Sequence, residues 1–477
     1  MTYLPPVRRV ARRTSAALAA ALSFLFPGLG QAYAGRPALG LLLAAPPLLV
    51  AGMLIGAAAS GSEVVLDLLV VPGALTAIVI LDLVLMAWRV AAIGHAGLVM
   101  PHPNRRSATT IGVVGVLAVV TIGTHLWVAS AALAADRALA EVFAPPTGDE
   151  PLFPAFSRLD PEGPTYAWDG TERVNVLLIG YDSGPGRVDE LTDTLMVASF
   201  DPATETAFLV SVPRDTGFAP LPDRSVFADG IYPRRINELT SDANTHREAW
   251  CPGLEPAADC GIHVLRQVVG LYLGLDIHHV AWVDLMGFAA LVDALGGVEL
   301  CLPGVLVDPE YGGPTWAGRG IVLEAGCRTY DGAHALAYAR IRKGTMTLPD
   351  GTVENQNDFL RAARQQEFLL AIQAKVASTN LLISIPALLT AVSETVTTDI
   401  PRAQAADMAS LAPLVAEGHI ERVVLGWPGY VDLPVDPLRY YLLVPRRDDI
   451  RAEMTHLLGG EAALSGWYLG SSAVGPD

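Results

Sequence analysis

Three stretches of the chain, 38–59, 66–92 and 110–134, are each apolar and long enough to cross a bilayer. Nothing else constrains the fold as much, because a backbone in lipid must satisfy its own polar groups and a helix does so. The flanking charges give a direction. Arg8, Arg9, Arg12 and Arg13 precede the spans, and His95, Arg105 and Arg106 precede the last one. The loop around Glu63 carries no Lys or Arg. The positive-inside rule puts the basic segments in the cytoplasm and everything after 134 outside. A further apolar stretch, 16–34, is broken by Pro27, Gly28 and Gly30 and followed by Arg36. Parity then requires it to enter and leave on one face, as a re-entrant or interfacial segment. A full crossing would return the rest of the chain to the cytoplasm. The FPGLGQAY run within it resembles the start of small multi-span membrane modules and has no assigned chemistry. Asp82, inside the second span, reads as a helix-end or bundle-facing acid, with a functional intramembrane acid as the alternative.

Composition agrees with a membrane-embedded part, since 51% of residues are hydrophobic and only 17% charged. The net charge of -17, with its acid excess after 136, argues against a nucleic-acid track as the main task. Four cysteines fall as local pairs, Cys251 with Cys260 and Cys301 with Cys327. Neither pair has CxxC spacing or a nearby His at zinc-finger spacing. Four buried thiols is one reading. Two disulfides, which need an oxidising compartment, is the favoured one.

The expected organisation is a membrane region over 1–135, a Pro/Gly/acid-rich linker over 136–172, a soluble domain over 173–459 and a flexible tail over 460–477. In the soluble part, 174–180 is a continuous apolar run, as in a strand buried on both faces. Strands at 194–201 and 206–212 flank DPATE, a hairpin turn. Helices are expected at 262–275, 286–295, 330–340, 359–376, 385–395, 403–416 and 448–458, and strands at 280–284, 298–302, 423–426 and 440–444. The fold class is therefore α/β, a mixed central sheet flanked by helices on both faces, behind a multi-span α-helical membrane region.

Arginines stand out in segments with few other basic residues: Arg214 in VPRDT, Arg235 in RRINEL, Arg340 and Arg342 in AYARIRK, Arg361 and Arg364 in RAARQQEF. Arg361, Arg364 and Gln365 share a helix face by spacing. Guanidinium forks match phosphate oxygens in pairs, so such a set suits a pyrophosphate. Asp182 and Asp193 leave adjacent strand ends, and magnesium is commonly held by one or two carboxylates with substrate phosphates. Taken singly, each arginine reads as a surface ion-pair partner and each Asp as a turn cap. It is the combination that points to chemistry. No GxxxxGK[ST], HExxH or GxSxG motif offers another mechanism.

The blocks NVLLIGYDS, TDTLMVASFDP, FLVSVPRDT, RINEL, FAALVDALGGVELCLP, LEAGCRTYDGAHALAYARIRK and RAARQQEF follow one another as in LytR-CpsA-Psr proteins, which this chain resembles over about 173–376. The resemblance implies a membrane-anchored phosphotransferase with a hydrophobic tunnel. Its donor would be an undecaprenyl-pyrophosphate-linked glycopolymer and its acceptor peptidoglycan. It implies Mg2+ on Asp182 and Asp193, with Arg214, Arg340, Arg342, Arg361 and Gln365 on the pyrophosphate, and Cys301–Cys327 as the cysteine pair of actinobacterial members. Arg235 stands where the family often has Lys. Gly184 and Leu191 stand where it often has Arg, with Arg187 a nearby substitute. Asp215 and Asp182 are the candidate bases. A non-catalytic polyprenyl-phosphate-binding envelope module is the competing reading, in which arginines are needed but a metal pair is not.

Overall fold

The structure is a computed structural model and describes residues 14–59, 71, 73–143, 168, 171–181, 191–254, 259–312, 319–378, 395–404, 407–408, 411, 420–433 and 442–460. The chain divides into two compact units, Met1–Arg137 and Ala138–Asp477.

In the first unit, α1 (Ala16–Leu25) starts on Ser15, whose side chain accepts from the Leu18 N–H. It stops at Phe26 because Pro27 disfavours helical backbone in the residue before it. Gly28 then turns the chain at φ 99°, a conformation that favours glycine. A β-carbon there would also lie 2.0 Å from the Gly40 carbonyl oxygen. The short α2 (Leu29–Tyr33) follows. Ser23 Oγ donates to Gln31 Oε1, and Gln31 Nε2 donates to the Ala92 carbonyl, each at 2.9 Å. Both side chains are fully buried. The FPGLGQAY run is thus a helical reversal locked by two buried polar side chains. The 10 residues of α1 rise only about 15 Å, roughly half a bilayer core.

Among the described residues, three helices are long and apolar enough to cross a membrane: α3 (Pro37–Ala59), α4 (Ala74–Gly94) and α5 (Ala108–Val142). Asp82 of α4 faces another helix, its Oδ1 lying 2.7 Å from Nδ1 of His125 on α5. The last of these helices runs through 136–142, where the sequence suggests a linker. ADRALAEV is built mostly of strong helix formers, and propensity wins there over its charge. The N-terminal arginines, the Glu63 loop, nearly all of the linker beyond 143 and the tail after 460 lie outside the described residues.

The second unit is built on a six-stranded mixed sheet. Its strands are β1 (Val174–Tyr181), β2 (Thr192–Asp201), β3 (Thr206–Ser211), β4 (His279–Asp284), β5 (Val396–Thr398) and β6 (Ile420–Val424), in the order β5-β4-β1-β2-β3-β6. Two pairings are parallel, β1 with β4 and β3 with β6, and the other three antiparallel. Alternation decides what each face buries. Leu177, Ile179, Leu195, Val197, Phe208 and Val210 pack under α6 (Cys260–Leu273) and α9 (Arg447–Leu457). Leu178, Met196, Ala198 and Leu209 face the other way, onto α8 (Asp358–Ser378). Asp259 caps α6 by accepting from the Ile262 N–H, and Gly274 ends it at φ 69°.

A second core lies beside the first, between α7 (Gly332–Arg340), the α8 residue Phe368 and short antiparallel strands. Those strands are Val298–Leu302 with Gly326–Tyr330, and Val305–Asp308 with Ile321–Leu323, Thr345–Thr347 and Val353–Asn355. Residues 326–330 are therefore strand, and the helix expected from 330 begins at Gly332, capped by Asp331. Cys301 stands opposite Cys327 in that ladder, and the two are joined at S–S 2.03 Å; Cys251 and Cys260 are joined at 2.01 Å. The helix expected over 385–395, and most of that over 403–416, lie outside the described residues.

Candidate active site

The charged residues are brought together by strand ends, a helix end and one helix face. Asp193 is the second residue of β2. Arg214 follows β3 by three residues, and its carbonyl accepts from the Asn237 N–H while that of Thr216 accepts from the Ile236 N–H. Those two bonds lay the Arg235 segment alongside the Arg214 segment. Arg340 ends α7, and Ile341, fully buried, turns inward, so Arg340 and Arg342 both look outward to one cavity. Arg361 and Gln365 sit one turn apart on α8.

These side chains line a cavity of about 280 Å³ made by Asp193, Arg214, Arg235, Arg340, Arg342 and Arg361, with Leu191, Thr194, Asn237 and Gln365 completing the wall. Arg214 donates to Asp193 Oδ1 at 2.6 Å, and Arg361 donates to the Asp193 carbonyl at 3.3 Å. A layer of carboxylates stands behind. Asp215 lies 3.8 Å from Arg214 and 3.6 Å from Arg235. Glu238 pairs with Arg235 at 2.6 Å. Asp358 approaches Arg361, Arg214 and Arg342.

Burial lowers the pKa of Arg361, with Arg214 adding to the effect against the pull of Asp358. Burial acts on Arg214 in the same sense, but Asp193, Asp358 and Asp215 outweigh it and raise its value. The pKa of Asp215 is raised by burial against the opposing effect of Arg214. The Nε atoms of Arg214 and Arg361 are buried without a hydrogen-bond partner among the described residues.

A second cavity, of about 150 Å³, adjoins the first and shares Thr194 and Gln365 with it. Its walls are apolar, among them Leu178, Met196, Ala281, Phe288, Phe368 and Ile372. Gly180 opens it, since a β-carbon there would lie 2.9 Å from Thr194 Oγ1.

Of the residues the sequence points to, Asp193, Arg214, Arg235, Arg340, Arg342, Arg361 and Gln365 meet at one cavity. Asp182 and Arg187 lie outside the described residues. Arg364 is a correction. It is buried, and its fork donates to the carbonyls of Tyr338 and Ile341 and to Gln356 Oε1, so it braces the exit of α7 instead of facing the cavity. Asp358 escaped the sequence reading, although its three-residue spacing from Arg361 at a helix start was a usable signal.

For magnesium, the described residues contain no cluster of three side chains able to cage a metal. Asp193 lines the cavity, and one carboxylate with phosphate oxygens is a customary magnesium set, so the residues fit a metal that arrives with its substrate.

The sequence model of the LytR_cpsA_psr family matches residues 155–444. Among curated proteins, the chain is 31% identical over 249 residues to "Cell wall biosynthesis protein LcpA" of Corynebacterium glutamicum, covering 51% of this chain and 42% of that protein. It is 29% identical over 231 residues to "Polyisoprenyl-teichoic acid--peptidoglycan teichoic acid transferase TagU" of Enterococcus faecalis, covering 48% of this chain and 62% of that one. The match thus spans less than two thirds of either relative. Among solved structures, Bacillus subtilis TagV is similar at 21% identity and a TM-score of 0.44, covering 61% of this chain and 97% of that one.

Proposed function

The chain belongs to the LytR_cpsA_psr family, and from that premise we propose that it is a phosphotransferase moving a glycopolymer from an undecaprenyl-pyrophosphate carrier to peptidoglycan. The observation that carries this reading is the junction of the two cavities at Thr194 and Gln365. A five-arginine chamber opening onto an apolar slot suits one ligand type above others, a diphosphate with a long hydrocarbon tail. The names of the relatives in cell-wall biosynthesis and teichoic acid transfer support the same class of work.

In the reaction, an acceptor hydroxyl oxygen bonds to the sugar-proximal phosphorus as the bond from that phosphorus to the bridging oxygen breaks. The lipid phosphate leaves with the electron pair, and the hydroxyl proton passes to a carboxylate, Asp215 or Asp182. Arg214, Arg340, Arg342 and Arg361 hold the diphosphate in line and neutralise charge on the leaving group, while Gln365 stands where head meets tail. Asp193 and Asp182, with phosphate oxygens, would hold magnesium, which would supply further charge neutralisation. Water in place of the acceptor makes the same site a pyrophosphatase. We assign the second unit to the outer side of the cell membrane on the arginine distribution and on its two disulfides.

The test is phosphate release from geranylgeranyl pyrophosphate by the full chain in detergent, with and without magnesium. Metal-dependent release is expected, and Arg214→Ala should lower it by about a hundredfold or more. Lipid binding without release, equal in wild type and variant, would instead favour the non-catalytic binding module.

A further inference from the structure

Asp358 does a task that neither helix capping nor a local ion pair accounts for. An Asp at a helix start is ordinarily its cap. Here Asn357 caps α8, its Oδ1 accepting from the Leu360 N–H at 2.9 Å and its carbonyl from the Arg361 N–H at 3.0 Å. The carboxylate of Asp358 is left for arginines. It lies 3.0 Å from Arg361 Nη1, 3.7 Å from Arg214 Nη2 and 3.9 Å from Arg342 Nη1. Those three come from separate segments, one after β3, one after α7 and one on α8, and all three line the charged chamber. Asp358 itself is not part of the chamber wall. Like charges brought this close repel, and long guanidinium side chains carry rotamer freedom that must be suppressed before they can act as a preformed anion site.

We propose that Asp358 is the positioning residue of the array, a single carboxylate behind the wall that aims Arg214, Arg342 and Arg361 at the diphosphate. This assignment rests on the phosphotransferase reading of the chamber. It predicts a sign that field strength alone would not give. Removing a negative charge beside three arginines makes the chamber more positive and by itself tightens anion binding. Losing the aim of the arginines loosens it.

The experiment is calorimetric titration of the full chain in detergent with inorganic pyrophosphate and with geranylgeranyl pyrophosphate, for wild type, Asp358→Asn and Asp358→Glu, with melting temperature as the check on folding. Asp358→Asn should weaken both ligands tenfold or more at a nearly unchanged melting temperature, and Asp358→Glu should recover part of the loss. Unchanged or tighter binding by a folded Asp358→Asn overturns the proposal and leaves the reading of the chamber intact. If Asp358→Asn does not fold, Asp358→Glu decides: affinity below wild type for both ligands supports the assignment, and wild-type affinity overturns it. A wild type that binds neither ligand overturns both the inference and the chamber reading beneath it.

Discussion

The backbone N–H of Asn175 donates to Nδ1 of His278 at 2.9 Å, which requires that nitrogen to be unprotonated. Burial, and then His279 and Arg266, push the His278 pKa from 6.5 down to about 3. The unfolded chain therefore takes up this proton near pH 6.5 and the folded chain only near 3. The stability His278 contributes is whole above pH 6.5 and is lost as pH falls toward 3. Thermal melts between pH 7 and 4 should fall steeply for wild type and less steeply for His278→Gln, whose amide oxygen can still accept the bond. Parallel curves would remove His278 from the account. The arginines teach a related lesson about what a sequence tells. Alternation about a buried Ile341 aims Arg340 and Arg342 together, and that is legible in the string ARIR. Arg361 and Arg364 look equivalent on a helical wheel. Only the three-dimensional course of 338–341 decides that one is spent on backbone carbonyls while the other faces the chamber.

At the scale of elements, α8 works as a ruler. Arg361 and Gln365 border the charged chamber, and Gln365, Phe368, Leu369 and Ile372 continue along the apolar slot. From 361 to 372 the helix rises about 16 Å, so the chamber and the slot are bordered by successive turns of one helix. Ile372→Trp should shorten the slot while leaving the chamber alone. Affinity for geranylgeranyl pyrophosphate is expected to drop about tenfold, the equivalent of roughly two methylenes at ~0.8 kcal/mol each, with affinity for inorganic pyrophosphate unchanged. Equal loss of both in titration would deny that the slot holds the tail. The main sheet was legible because β1, β2 and β3 are long apolar runs around a turn. The strands Thr345–Thr347 and Val353–Asn355 were not, since three residues carry no readable period; they pair with each other, and Thr345–Thr347 joins the sheet through Val305–Asp308, far away in sequence.

For the molecule as a whole, the reversal at Phe26–Gly28 bears on which side of the membrane the second unit works. If 16–34 returns to its own side, the three long apolar helices among the described residues make an odd number of crossings between the N-terminus and the second unit. Protease added to intact spheroplasts should digest the second unit and spare an N-terminal tag; protection of the second unit would reverse the parity. The break in that segment was visible as Pro27 and Gly28, whereas the Ser23–Gln31–Ala92 lock that holds it was not, because the bond to Ala92 spans 61 positions. The two disulfides carry a consequence for how the chain is made. They join neighbours in order, across separations of 9 and 26 residues, without crossing or nesting. If the second unit is exported N-terminal end first, each thiol's partner is the next cysteine to emerge. In that order, first-come oxidation would form the two bridges of the structure with no reshuffling step.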